Sequence, residues 1–353
     1  MTPDRLDQIL SALPDATVAV VGDFFLDKYL ELDPALSETS LETGLEARQV
    51  VAVRCQPGAA GTIVANLCAL GVGRVICVGF VGDDGEGFEL LRGLRALGAD
   101  ADRVAARADR FTPTYCKPLA RQPDGRLREL ERLDTKNRAP LPRDLDDSLI
   151  AAVQQLAPSV SAVIAQDQVQ EAGCGVITAR MRDALAALAD QHPNVVWFGD
   201  SRIRIGDYRS LILKPNREEA CAAIHPDSPP HAPAEATTCA AALSARVGRA
   251  VYLTLGAAGS ALITPEKAQP IPTARLDGPL DIVGAGDSAT AGIVSALCSG
   301  ATLEEAGIIG NIVASITVRQ IGATGTATPD QVRHQFARHA GVWTSLPPSR
   351  PIS

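Results

Sequence analysis

Short apolar runs alternate with segments of helical period along most of the chain. Thr17 to Val21 carries no charge, ends at Gly22-Asp23, and reads as a buried strand. Gly58 to Leu70 is rich in small and apolar residues and stops at Gly71, which predicts a glycine-capped helix. Val75 to Phe80 predicts a second strand, closed by Gly82-Asp83-Asp84-Gly85, and Phe88 to Leu97 a helix stopped by Gly98. Val160 to Ala165, Val195 to Phe198, Ser210 to Leu213 and Ala250 to Leu255 read as further strands, with helices between them, Ile177 to Ala189 included. Strands that are apolar throughout are buried on both faces. The alternation therefore predicts an α/β fold: a mostly parallel sheet covered by helices, with ligands at the carboxyl ends of its strands.

Three segments depart from this pattern. Glu42 to Cys55 and Thr112 to Leu133 lack helical period and contain β-branched or alternating stretches, as a small antiparallel sheet or long loops would. Ala222 to Thr238 holds Pro226, Pro229, Pro230 and Pro233, which predicts an irregular surface insertion.

Composition narrows the partners. The chain has 353 residues, 46% hydrophobic and 21% charged, enough for one large α/β domain. A formal net charge of −8 argues against a nucleic-acid scaffold, and 4% aromatics against stacking on single strands. Ser148 to Gln166, the longest uncharged stretch, is interrupted by Gln154, Gln155 and Pro158, so no membrane span is expected. The start, MTPDRLDQIL, lacks the basic and apolar blocks of a secretory signal. Eight scattered cysteines without a C-x-x-C pair read as free thiols in a reducing cytoplasm.

Five short motifs stand out, repeatedly just after predicted strands. In Asp281-Ile282-Val283-Gly284-Ala285-Gly286-Asp287-Ser288, small residues at a helix start let backbone N–H groups approach an anion, and Asp287 can take a proton from a hydroxyl. The same spacing also fits a tight turn with Asp287 as a cap. In Lys214-Pro215-Asn216-Arg217-Glu218-Glu219, Asn216 and Glu219 share a helix face, as hard ligands around Mg²⁺ or as a reciprocal capping box. Thr254-Leu255-Gly256-Ala257-Ala258-Gly259 is a turn able to pass under phosphates, or a plain hairpin. Gly22-Asp23-Phe24-Phe25-Leu26-Asp27 offers two carboxylates for hydroxyls, and Gly58-Ala59-Ala60-Gly61-Thr62 opens room at a helix start.

Taken in order, these motifs resemble the PfkB (ribokinase-like) family of carbohydrate kinases from Val18 to Pro329. Within that family the stretches VVGDFFLDKY, GDSRIRIGDYRSLILKPNREEA, IVGAGDSATA and NIVASITVRQIGATGTATP are most similar to kinases acting on D-glycero-β-D-manno-heptose 7-phosphate. The resemblance implies one three-layer α/β/α domain, residues 1–345, with β-lid segments 31–56 and 111–133 inserted and a tail at 346–353. It implies ATP, Mg²⁺ and a K⁺-type monovalent cation. It makes Asp287 the base and the N–H groups of Val283, Gly284, Ala285 and Gly286 the anion hole. Asn216 and Glu219 would organise Mg²⁺ and phosphate, Thr254, Gly256 and Gly259 the nucleotide turn, and Asn311 would lie near the adenine. Asp27 and Gly58 would line the sugar pocket, and carbonyls near Asp281, Val283 and Gly322 to Gly325 the cation site.

Two positions depart from the family pattern. Ala59 stands where a second glycine is usual, and Thr62 where an asparagine is usual. Some heptose enzymes fuse such a kinase to a nucleotidyltransferase; the chain ends about where the kinase should, so a kinase activity alone is expected. Lid cations Arg48, Arg54, Lys117, Arg121, Arg126, Arg128 and Arg132 are candidates to meet a phosphorylated acceptor, Lys117 foremost because its surroundings are apolar. A bare lid edge predicts a homodimer through the lid. A nucleoside kinase of the same fold and a non-catalytic sugar or nucleotide sensor are the alternatives. The chain lacks the G-x-x-x-x-G-K-[ST] loop of Walker-type ATPases.

Overall fold

The computed structural model describes residues 1–227, 233–322, 324–344 and 346–351. Its main sheet has ten strands. Seven run parallel, in the order Asp100–Arg107, Arg74–Gly82, Thr17–Gly22, Ala162–Asp167, Val196–Ser201, Ile212–Leu213 and Val251–Thr254. Ser260–Ile263, Lys267–Ile271 and Arg350–Pro351 extend it antiparallel. The apolar runs fill both faces. Val18 and Val20 join the core with helices Pro3–Ser11, Ala60–Ala69, Gly85–Ala96, Ala285–Cys298, Leu303–Thr317 and Pro329–Arg338. Ala19 and Val21 pack on the opposite side with Arg143–Leu156, Ala179–Gln191, Arg217–Ile224 and Pro233–Val247. This is the expected α/β/α layering.

The two segments without helical period join Phe24–Leu32 in a second sheet, but it is mixed rather than antiparallel: Phe24–Leu32 and Thr114–Arg121 pair in parallel, since each follows the carboxyl end of a parallel core strand. Its strands run Leu133–Thr135, Thr114–Arg121, Phe24–Leu32 and Val50–Ala59, with Leu127–Glu129 pairing to Thr114–Arg121. Phe24–Leu32 lies in the middle, so the lid begins one residue after the first core strand ends. The pattern does not separate this strand from the core strand before it, because the two follow one another with only Asp23 between them.

Asp23 is the joint. Its buried carboxylate accepts from the backbone N–H groups of Gln168, Val169 and Val176 at 2.7–2.9 Å. Burial first, then the charge of Asp167, pushes it up to about 6 against the pull of those three donors. Asp167 is itself tied to Arg204 at 2.9 Å and Ser201 at 2.8 Å. Asp23 is therefore structural, which corrects its reading as a hydroxyl-binding acid.

Three further expectations change. Gly58 and Ala59 belong to the strand Val50–Ala59, and the helix starts at Ala60. The proline-rich segment is helical at both ends, in Arg217–Ile224 and Pro233–Val247, because prolines at a helix start are tolerated; residues 228–232 lie outside the described residues. The pattern of apolar runs does not predict the Asp100–Arg107 strand, which is broken up by charges, or the two antiparallel strands Ser260–Ile263 and Lys267–Ile271, which are only four and five residues long. Among the described residues no helix is long and apolar enough to cross a membrane.

Ala59 turns the lid strand into the helix with φ 53° and ψ −118°. That conformation suits glycine and costs a side-chain-bearing residue of order 1–3 kcal/mol. Ala59→Gly should raise the unfolding free energy by about 1 kcal/mol, after the extra entropy of glycine in the unfolded chain is subtracted. Urea titration at fixed pH measures this; unchanged or lowered stability would show the turn to be unstrained.

Candidate active site

The helix Ala285–Cys298 starts at Gly284, whose φ of 78° makes it the cap, and its side chains bury into the core from Ser288 onward. A side chain at Gly284 would stand 3.2 Å from Thr62 Cγ2 and from Thr324 Cγ2, so the turn is walled by two threonines. The N–H of Val283 bonds to Asp281 Oδ1 at 3.1 Å and that of Ala285 to the Ile282 carbonyl at 3.2 Å. Among the described residues, those of Gly284, Gly286 and Asp287 have no protein acceptor. The open donors are thus these three, which corrects the inclusion of Val283 and Ala285 in the anion hole.

Asp287 sits in the first turn without capping it. Its Oδ1 accepts from Gln166 Nε2 at 3.0 Å. Burial pushes its carboxyl up to about 7; Asp200 and Asp27 add to this, while Lys214 and the Gln166 hydrogen bond oppose it. Gln166 is fully buried at the end of the strand Ala162–Asp167, and its Oε1 has no partner. Gln166 stands in none of the quoted motifs, and Asp200 lies in the quoted stretch GDSRIRIGDYRSLILKPNREEA without a role read for it; each is one polar residue at the end of an apolar strand.

Lys214 was passed over as the lead-in to Asn216. Its buried ammonium bonds to Asp200 Oδ2 at 2.8 Å and lies 3.4 Å from where a Gly286 side chain would begin. Burial pulls its pKa down, but Asp200, Glu219 and Asp287 together hold it above its ordinary value. Thr290 also donates to Asp200, at 3.2 Å. A fixed cation therefore stands beside the open N–H groups of the helix start.

Asn216 and Glu219 make both bonds of a capping box, at 2.7 and 2.8 Å. Glu219 is still not electrostatically satisfied. Burial and then Asp200 push it up to about 7, with Lys214 opposing. A partly buried carboxylate facing Asp200, in the first turn of a helix that follows a strand, fits a hydrated divalent cation. Thr254, Gly256 and Gly259 form the turn of a hairpin between Val251–Thr254 and Ser260–Ile263; Gly256 and Gly259 have φ of 60° and 88°. Beneath it Asn311 spends its amide on the carbonyls of Ile271 and Pro272 and accepts from Ser260, so it shapes the wall of that pocket through the backbone.

The lid supplies the other side. Asp27 is buried, and its Oδ2 would lie 2.7 Å from a side chain at Gly58, so only glycine fits there. Lys117 Nζ is 3.1 Å from Asp27 Oδ1 and 3.4 Å from the Tyr29 hydroxyl, and Arg54 stacks on the Tyr29 ring at 3.9 Å. Burial lowers the Lys117 pKa and Asp27 with Tyr29 more than restores it. Arg54 Nη2 also donates to the Gly322 carbonyl at 2.8 Å, and Gln56 to Thr324 at 3.0 Å, tying lid to domain. Asp281 closes its loop by accepting from Val283 and Gly322. Of the carbonyls expected to hold a monovalent cation, that of Gly322 is taken by Arg54, and Ala323 lies outside the described residues. Arg48, Arg126 and Arg132 bond to nearby acids of the lid and stay on its surface.

An acid at a helix start lined by open N–H groups, a buried lysine beside it and a β-lid over a carboxylate pocket define a phosphotransferase acting on a hydroxyl. The chain belongs to the pfkB family of carbohydrate kinases, whose profile matches residues 28–331. The bifunctional protein HldE of Hyphomonas neptunium is 28% identical over 328 residues, covering 92% of this chain and 64% of that protein. HldE of Gluconacetobacter diazotrophicus is 30% identical, covering 89% and 62%. The chain thus spans under two thirds of the length of these relatives. The fold is that of Arabidopsis thaliana ribokinase complexed with ribose and ATP, at TM-score 0.66, 20% identity and 91% and 98% coverage. Escherichia coli phosphofructokinase-2 gives TM-score 0.70 at 16% identity, covering 92% and 99%. Kinases of this family transfer phosphoryl groups to sugar hydroxyls.

Asp287 holds its proton to higher pH in the folded protein than in the unfolded chain. Between its ordinary value of about 4 and about 7, the folded state binds more protons, so this group lowers stability as pH rises. Asp287→Asn should therefore melt above the wild type at pH 8, with the gap closing toward pH 4, while kcat falls by about 10²–10⁴. Melting curves at both pH values and steady-state kinetics test the pair; turnover within a few-fold of wild type would remove Asp287 from the chemistry.

Proposed function

We propose that the protein transfers the γ-phosphoryl group of ATP to a hydroxyl of a phosphorylated sugar, with heptose 7-phosphate the leading acceptor. The observation that carries the acceptor class is the cationic face of the lid pocket. Lys117 and Arg54 flank the Tyr29 ring, and Lys117 is held over Asp27. A neutral sugar needs the carboxylate of Asp27 alone; an acceptor with its own phosphate also needs a cation within reach. The curated relatives support the same reading at modest identity.

Phosphoryl transfer passes through a loose transition state, so position and charge matter more than base strength. Asp287 Oδ2, the oxygen not held by Gln166, receives the hydroxyl proton. The N–H groups of Gly284, Gly286 and Asp287 and the ammonium of Lys214 face the charge that builds on the transferred group. Asn216 and Glu219 would hold Mg²⁺ through water, and the Thr254 to Gly259 turn would lie along the nucleotide. The metal, when bound, neutralises phosphate charge. The carbonyls beside Asp281 are the site at which K⁺ would act. The eight thiols, free in the structure, support a cytoplasmic setting.

One kinetic series tests this. ATP turnover is measured against sugars, sugar phosphates and nucleosides for the wild type, Lys117→Ala and Glu219→Gln. The expected result is preference for a sugar phosphate, a KM for it raised about tenfold by Lys117→Ala with KM for ATP unmoved, and a raised Mg²⁺ requirement in Glu219→Gln. Preference for a nucleoside would make this a nucleoside kinase. ATP turnover with none of the acceptors would favour a sensor.

A homodimer through the lid belongs to the same proposal. The outer strand Val50–Ala59 pairs on one side only and exposes Val50, Val51 and Val53. A second copy is the simplest cover for such an edge. Equilibrium sedimentation should give a dimer at micromolar concentration; a clean monomer would refute it.

A further inference from the structure

Among the described residues, Gln166 makes the one hydrogen bond to the carboxylate of Asp287. It is fully buried at the carboxyl end of the strand Ala162–Asp167, paired in register with Asp200 on the next strand. Its amide gives Nε2 to Asp287 and leaves Oε1 buried with no donor. Buried amides ordinarily satisfy both ends. The amide's one side-chain hydrogen bond in the structure is thus the one to the carboxylate, which points to a role at Asp287 rather than in packing alone.

We propose that Gln166 is the positioning residue of the active-site base, fixing Asp287 Oδ1 so that Oδ2 alone is presented to the acceptor hydroxyl, and favouring the ionised carboxylate. This rests on the reading of Asp287 as the base. The orientation argument is geometric. A carboxylate at a helix start can rotate, and a phosphoryl acceptor must lie in line with the leaving oxygen, so a base free to swing would lose rate without losing affinity. The charge argument follows from the surroundings. Asp287 faces Asp200 from the strand Val196–Ser201, Asp27 from the lid and Lys214 from the end of Ile212–Leu213, with Glu219 acting on the same lysine. Two of the three charges facing it are negative, and the Gln166 N–H favours the charged form.

The test is the pH profile of kcat in Gln166→Leu and in the isosteric Gln166→Glu. Wild type should show an acid limb near pH 7. In Gln166→Leu the limb should move up by about one pH unit and kcat at pH 7 fall about tenfold; the titration share, about five-fold, is regained at pH 9, the plateau stays about two-fold low from the lost orientation, and KM for ATP stays within about two-fold. Gln166→Glu places a carboxyl against Asp287 and should move the limb further. A carboxyl ¹³C titration of Asp287 in the ligand-free protein should shift in the same direction. A limb, a titration and a high-pH plateau of kcat all unchanged in Gln166→Leu would overturn the proposal. If Gln166→Leu does not fold, Gln166→Glu and its titration decide alone. Asp287→Asn separates the levels: an active Asp287→Asn removes the base itself, whereas an inactive one beside a normal Gln166→Leu profile refutes only the role of Gln166.

Discussion

Four carboxylates, Asp27, Asp200, Glu219 and Asp287, converge at one end of the sheet, and two buried lysines, Lys117 and Lys214, stand among them. This surplus of negative charge governs the site. Burying a carboxylate without a partner is costly, so each excess acid responds by holding its proton to higher pH, as Asp287 and Glu219 both do. The arrangement is tolerable because the pocket is built for a charge pattern that arrives with the substrates. The two lysines are not interchangeable: Lys214 is locked to Asp200 below the helix start, whereas Lys117 is shared between Asp27 and Tyr29 in the lid. In the proposed reaction the first would serve the donor side and the second the acceptor side.

Supporting that cluster is a frame of hydrogen bonds that has little to do with catalysis directly. Asn311 anchors the strand under the nucleotide turn, Asp23 pins the root of the lid, and Arg54 with Gln56 ties its edge to the loop after Val318. In each case a polar side chain is spent on backbone groups, which fixes the loops that carry the working residues. The sugar pocket departs from the family at two points for different reasons. Ala59 holds a glycine-like conformation at a strain cost, while Thr62 presses its methyl toward Gly284 and so helps shape the turn before Asp287.

The parallel core was legible because its strands are apolar on both faces and end at glycine or aspartate, as in Val18 to Gly22 and Val75 to Gly82. The motif residues were legible because backbone constraints fix them: Gly284 and Gly58 stand where no side chain fits or an unusual φ is needed. What stayed hidden was carried by single polar residues at strand ends. Gln166 and Asp200 look like any polar residue after an apolar run, and only the register between neighbouring strands brings them together under Asp287. Lys214 was visible but not interpretable, since its partner lies 14 residues earlier on another strand. The Asp100–Arg107 strand, lying at the edge of the sheet, alternates charged and apolar residues too irregularly to be recognised by period alone.

The way Asp23 is held has a mechanical consequence. The lid's central strand leaves the core through a residue whose carboxylate is gripped by three backbone donors and whose own N–H bonds to the Gln166 carbonyl. Such a root cannot swivel. The lid is then a cantilever, built in at Asp23 and free at the Arg121 to Arg126 tip, and its compliance lies in the length of its strands. Deflection grows with distance from the root, so Asp27 keeps its place against Gly58 while the Arg121 to Arg126 tip yields; the opposite edge is held to the domain by Arg54 and Gln56. Bending of such a lid would be felt at its tip and leave Asp27 in place.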